Sequence, residues 1–208
     1  MRVLALSQDS TAQDYIYDVF ISYRRKGPSG DWVRNHFFPL LEAWLPESLP
    51  YEPKIFIDKT EIETGTDWEF VLEQALRTSR CLIPIWSPSY FRSTWCLAEW
   101  QSMRAREQQC GFKTATNPNG LIYPIVFHDG EHFPPEAKAT QQKDLKKWNS
   151  SYPSFIETRG IVELEREVQV ICAEIAVMLE TAPLWQNDFP VVTPNVDSTI
   201  NVQLPRLK

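Results

Sequence analysis

The segment YDVFISY, from Tyr17 to Tyr23, restricts the fold more than any other part of the chain. Its apolar and β-branched residues follow one another almost without a break, with Asp18 near the start. A strand that faces solvent on one side alternates apolar with polar residues. A continuous run instead suits a strand covered on both faces, as in a parallel sheet flanked by helices. YDVFISY is therefore read as a first, interior strand.

Three further runs have the same character: KIFID (Lys54 to Asp58), CLIPIW (Cys81 to Trp86) and LIYPIVF (Leu121 to Phe127). Pro84 is a blemish in the third strand, because proline cannot donate to a ladder. Between the runs the spacing changes to three and four. Val33, Phe37, Leu40, Leu41 and Trp44 predict a helix over Trp32 to Leu45, interrupted at Pro39. Thr66 and Glu69 form a capping box for a helix whose apolar face is Trp68, Val71, Leu72, Ala75 and Leu76. Ser93 can cap a helix from Thr94 to Gln108, and Ile161 to Leu179 is a long amphipathic helix. Such alternation implies βαβ units, and sheets built from them bind ligands at the carboxyl ends of their strands.

The expected organisation is an extension over 1–14, one α/β domain over 15–182, and a tail over 183–208. Pro183, Pro190, Pro194 and Pro205 give the tail no helical period, so it reads as a linker, an arm or an edge strand. Deletion after Thr181 is expected to leave the fold intact.

Several functions are disfavoured. A net charge of -6, with no basic run longer than Arg24, Arg25 and Lys26, argues against nucleic acid or an anionic membrane surface as partner. No stretch of about 18 apolar residues occurs, and Val3 to Leu6 is too short for a signal-peptide core, so a cytoplasmic location is expected. Cys81, Cys96, Cys110 and Cys172 lack C-x-x-C pairing and read as reduced thiols. His128 and His132 flank Gly130 and precede Pro134 and Pro135, a setting that does not preset a zinc geometry, so no metal is expected. Without G-x-G-x-x-G, P-loop or G-x-S-x-G motifs, hydride transfer and serine-hydrolase chemistry are disfavoured.

YDVFISYRR (Tyr17 to Arg25), FID (Phe56 to Asp58), the loop with Ile62, Glu63 and Gly65, and WCLAE (Trp95 to Glu99) come in an order that resembles the successive boxes of a Toll/interleukin-1 receptor (TIR) domain. The resemblance covers roughly residues 15 to 180 and implies a flavodoxin-like, five-stranded parallel sheet with helices on both faces. Its fifth strand is expected near Ser154 to Ile156.

TIR domains divide into modules that only assemble and enzymes that break the nicotinamide–ribose bond of NAD+. In the enzymes a glutamate follows a W-C-x-x-E or W-x-x-x-E pattern, which Trp95, Cys96 and Glu99 match. The resemblance therefore implies Glu99 as the catalytic residue. It implies contacts to NAD+ from the SYRR segment (Ser22, Tyr23, Arg24, Arg25), from Trp68 and Trp95, and from Glu63 in the loop that reaches a neighbouring molecule. One of Arg24 and Arg25 would pair the pyrophosphate bidentately. A helix glutamate is ordinarily a solvated carboxylate, and Trp68 suits core packing as well as it suits the nicotinamide.

The expected products are nicotinamide with ADP-ribose, a cyclic isomer or a conjugate. No cofactor beyond NAD+ as substrate is expected. Bacterial anti-phage defence, activation by self-association through TIR–TIR contacts, and a separate effector or activator protein complete the expectation. The alternative is a non-enzymatic module that recruits other TIR proteins.

Overall fold

The structure, a computed structural model, describes residues 14–58 and 68–194. Five parallel strands run in the order β2-β1-β3-β4-β5, with β1 at Tyr17–Ser22, β2 at Ile55–Ile57, β3 at Ser79–Trp86, β4 at Ile125–Val126 and β5 at Lys143–Asp144. The connection after β1 runs to β2 on one side and the connection after β3 runs to β4 on the other, so a crevice opens at the carboxyl ends of β1 and β3.

Side chains along β1 alternate between two cores. Val19, Ile21 and Tyr23 pack beneath α1 (Pro28–Trp32), α2 (Phe38–Trp44) and α6 (Arg159–Glu180). Phe20 packs with α3 (Trp68–Arg77) and α4 (Thr94–Gln109) on the other face. The two-residue period therefore turns Ser22 toward α4. A short α5 (Pro135–Lys138) precedes β5.

Both interrupting prolines act locally. A π turn over Val33–Phe37, closed by the Phe38 N–H on the Val33 carbonyl, lets Pro39 sit in the first turn of α2. There its missing N–H costs least. Leu82 and Trp86 exchange hydrogen bonds with the β4 side, so Pro84, two residues from each, faces the same neighbour. The ladder accordingly lapses between the Leu82–Ile122 bridge and the Ile85–Ile125 pair. This is why regular pairing in β4 is shorter than the run Leu121 to Phe127 suggests.

Two expectations are corrected. The fifth strand is Lys143–Asp144, not Ser154 to Ile156, which lies in a 3-10 turn over Pro153–Glu157. In that turn the Phe155 N–H is spent on the Tyr152 carbonyl, whereas Lys143 N–H reaches Pro124 O at 2.9 Å and Leu145 N–H reaches Val126 O at 3.0 Å. A charged two-residue edge strand carries no apolar run to announce it. Second, Val71 is 42% exposed, because the buried stripe of α3 narrows to Leu72, Ala75 and Leu76. The segment after α6 is an arm, one of the three forms its sequence allows, and it is seated on the domain. Phe189 is 1% exposed and caps the fully buried Arg106 at 4.2 Å, while Val192 N–H donates to Ser102 Oγ at 2.8 Å. Arg106 itself donates to the carbonyls of Ser79 (2.6 Å) and Leu76 (3.0 Å). The expected cap at Thr66, the loop residues Ile62, Glu63 and Gly65, and the end of the tail at 195–208 lie outside the described residues.

Candidate active site

A cleft of about 810 Å³ opens at the carboxyl end of β1, within the volume range of small-molecule sites. Its floor is set by α4. Ser93 Oγ accepts the Cys96 N–H at 3.4 Å and starts that helix, and one turn on from Trp95 the helix presents Glu99.

Glu99 is 7% exposed. Its Oε2 lies 2.5 Å from Ser22 Oγ, which lies 2.8 Å from the Tyr90 hydroxyl; that hydroxyl donates to the Cys96 carbonyl at 2.9 Å. Burial pushes the Glu99 carboxyl up to about 8. The Ser22 hydrogen bond opposes that rise, Asp58 adds to it, and the Arg25 guanidinium offsets part of it. A carboxylate tuned toward neutral pH inside a cleft has the properties of a group that does chemistry.

The lining beside Glu99 is aromatic. Trp68 and Trp95 meet edge to face with ring centroids 4.7 Å apart. Trp68 Nε1 donates to Asp58 Oδ2 at 3.0 Å, and Arg25 lies over the Trp68 ring at 4.7 Å while pairing with the same Asp58 oxygen at 3.0 Å. Arg24, exposed at the rim, makes no ion pair among the described residues.

Backbone geometry delivers these two arginines. Gly27 has φ +90°, which favours glycine, and a Cβ on Gly30 would stand 2.1 Å from the Arg25 carbonyl oxygen. The start of α1 is thereby tucked against the loop.

Of the residues singled out in the sequence, Ser22, Tyr23, Arg24, Arg25, Trp68, Trp95 and Glu99 gather around this one crevice. Tyr23 is 5% exposed and its hydroxyl donates to the Asp58 carbonyl at 2.7 Å, so it braces the end of β2. Glu63 lies outside the described residues. Sequence reasoning missed Tyr90, Asp58 as a ligand of Arg25, and Gly30. Tyr90 did leave a signal, being a tyrosine just after the third strand, where such sheets place their ligands.

A family model for the TIR domain matches residues 19–157. The chain belongs to the TIR domain family. This TIR domain is 31% identical over 156 residues to Protein SUPPRESSOR OF npr1-1, CONSTITUTIVE 1 of Arabidopsis thaliana, covering 69% of the present chain and 10% of that protein. It is 29% identical over 171 residues to Disease resistance-like protein CSA1 of the same plant, covering 77% and 13%. The TIR domain described here thus spans about a tenth of the length of these curated relatives. Among solved structures, the TIR domain of the Toll-related receptor TRR-2 from Hydra magnipapillata is 21% identical with a TM-score of 0.44, over 74% of this chain and 98% of that one. The TIR domains of the activated Roq1 resistosome, which directly recognises the pathogen effector XopQ, are 23% identical with a TM-score of 0.37, over 78% and 84%.

Among the described residues, no helix is long and apolar enough to cross a membrane. The four cysteines of this TIR domain are unpaired, three of them buried.

Proposed function

We propose that this TIR domain cleaves the nicotinamide–ribose bond of NAD+, with Glu99 as its catalytic carboxylate. One observation carries the reading: Glu99 is buried at the floor of a cleft large enough for a dinucleotide, beside two indoles and below two arginines.

The nicotinamide of NAD+ already bears positive charge and departs as a neutral molecule, so no acid has to protonate it. As the bond lengthens, positive charge moves onto the ribose carbon and ring oxygen. A fixed carboxylate in a water-poor pocket stabilises that charge more than it stabilises the bound substrate, which is the condition for catalysis. The ionised form of Glu99 is therefore the working one.

The flat nicotinamide suits the indole wall of Trp68 and Trp95. Arg24 at the rim is available to the pyrophosphate, and Arg25 can join it by exchanging Asp58 for a phosphate oxygen. Water completes the reaction to ADP-ribose; attack by another part of the substrate, or by a second acceptor, gives a cyclic isomer or a conjugate.

Immune signalling is the setting that the names of the plant relatives support; self-association as the trigger and a separate protein reading the product come from the sequence resemblance. The anti-phage form of that setting rests on the sequence resemblance alone.

The test is nicotinamide release from NAD+ by the purified chain over a wide range of protein concentration, beside Glu99→Gln. Release that rises more steeply than protein concentration and is lost in the variant supports the proposal. Turnover that survives the substitution removes Glu99 from the reaction. No release at any concentration leaves an interaction module.

A further inference from the structure

The oxygens around Glu99 can be counted against their protons. Three oxygen–oxygen contacts run in series, from Glu99 Oε2 to Ser22 Oγ (2.5 Å), from Ser22 Oγ to the Tyr90 hydroxyl (2.8 Å) and from that hydroxyl to the Cys96 carbonyl (2.9 Å). Each is short enough to need a proton between its oxygens. The serine and the tyrosine supply one each, and a backbone carbonyl supplies none. With Glu99 ionised, two protons serve three contacts, and one pair of buried oxygens faces each other with lone pairs only. With Glu99 protonated the count closes: its O–H points to Ser22, the Ser22 O–H to Tyr90, and the Tyr90 O–H to the carbonyl. Glu99, Ser22 and Tyr90 are respectively 7%, 1% and 0% exposed, so water does not supply the missing donor.

We propose that Glu99 rests as a neutral carboxylic acid whose proton is held in place by the Ser22–Tyr90–Cys96 carbonyl chain, with Tyr90 as a positioning residue, and that a substrate bearing a fixed positive charge displaces this proton as it binds. The second half rests on the NAD+ reading above. In the displacement the Glu99 O–H bond breaks, its electron pair stays on the carboxylate, and the proton passes to solvent buffer. Ser22 then turns its hydroxyl to the carboxylate and Tyr90 turns to Ser22.

The groups facing Glu99 among the described residues are consistent with this. Ser22 comes from β1, Arg25 from the loop after it, Asp58 from the end of β2, Tyr90 from the loop after β3 and Cys96 from the same helix. Burial, the largest influence, favours the neutral acid and Asp58 reinforces it, while a hydrogen bond donated by Ser22 and the charge of Arg25 oppose it. Burial also drives the Tyr90 hydroxyl upward and the Cys96 thiol up to about 12, so both keep their protons through neutral pH. The Arg25 guanidinium is partly spent on Asp58 at 3.0 Å, which weakens its hold on an ionised Glu99. A cationic ring entering the cleft supplies the missing positive charge.

The experiment is infrared difference spectroscopy of the full chain against Glu99→Gln, from about pH 5 to about pH 10, which spans the ordinary and the shifted carboxyl range. The wild type is expected to show, at about pH 6, a carboxylic-acid carbonyl band absent from the variant, bleaching with a midpoint near 8. Tyr90→Phe is expected to lower that midpoint by about one pH unit, because the ionised state then leaves no contact without a proton. A role for Tyr90 in packing alone would leave the midpoint where it is.

Absence of the band at about pH 6 overturns the neutral acid, and this arm needs no tyrosine variant. An unmoved midpoint in folded Tyr90→Phe overturns the chain. Mixing wild type with NAD+ at about pH 7 in weak buffer with an indicator dye should release close to one proton per site, and Glu99→Gln should release none. Binding without proton release overturns the displacement. A protein that keeps the acid band but neither binds nor cleaves NAD+ overturns the proposed function and the displacement with it, and leaves the neutral Glu99 standing.

Discussion

Ser22 and Glu99 are 77 positions apart in the chain and 2.5 Å apart in space. The contact joins the carboxyl end of the first strand to the second turn of α4, and it follows from two simple periods. Alternation along β1 turns Ser22 to the α4 face, and the four-residue spacing from Trp95 turns Glu99 to meet it. The same burial that makes this contact makes the carboxyl hard to ionise.

The cost of that burial should be visible in stability. The Glu99 carboxyl is raised from 4.5 to about 8 on folding, so its favourable contribution is complete below about pH 4.5 and is lost progressively up to the folded value. Glu99→Gln has no such loss. In chemical denaturation the variant should gain on the wild type by at most about 1.4 kcal/mol per pH unit across that window, with the gap constant above it. A gap that closes as pH rises would reverse the sign and contradict the buried-acid account.

Activity should run the other way. If the ionised carboxylate stabilises the ribosyl cation, kcat/KM for NAD+ should climb about tenfold per pH unit below a midpoint near 8 and level off above it. A profile flat from about pH 5 to about pH 9 would mean that the titrating group is not in the reaction.

Gly30 offers a steric test. A Cβ there meets the Arg25 carbonyl oxygen at 2.1 Å, and a backbone oxygen cannot swing aside as a side-chain end can. Gly30→Ala should displace the Arg24–Arg25 loop and lower kcat/KM by about 100-fold, the scale of a misplaced binding group, while circular dichroism stays native. Unchanged kinetics would show that the loop's position is irrelevant to the substrate.

How much of this was legible in the sequence depends on how each element is encoded. β1 and α4 were readable because continuous apolar runs, a serine cap and helical spacing are local signals, whereas Glu99 was singled out by the resemblance of WCLAE to a TIR box. β5 was not, because Lys143–Asp144 pairs through backbone groups whose partners, Pro124 and Val126, only the folded sheet supplies. Tyr90 and the role of Asp58 escaped for a related reason: they act through contacts between distant parts of the chain, Tyr90 with Ser22 and Asp58 with Arg25 and Tyr23. The prolines of the arm signal irregular backbone and say nothing of whether Phe189 finds a pocket.

That pocket is itself open to test. Phe189 covers Arg106, whose guanidinium is held by carbonyls with no carboxylate partner among the contacts described. Phe189→Ala should cost about 3 kcal/mol, and truncation after Thr181 at least as much. A truncated chain with the wild-type melting temperature would restore the view of the arm as dispensable.

The central claim is tested most directly by separating binding from chemistry at Glu99. Wild type and Glu99→Gln, each at high protein concentration, are saturated with NAD+ labelled in the nicotinamide ring, and bound and released label are followed in one single-turnover experiment. The expected result is comparable occupancy in both proteins, with release slowed roughly 100-fold or more in the variant. Equal release rates at equal occupancy would contradict the account.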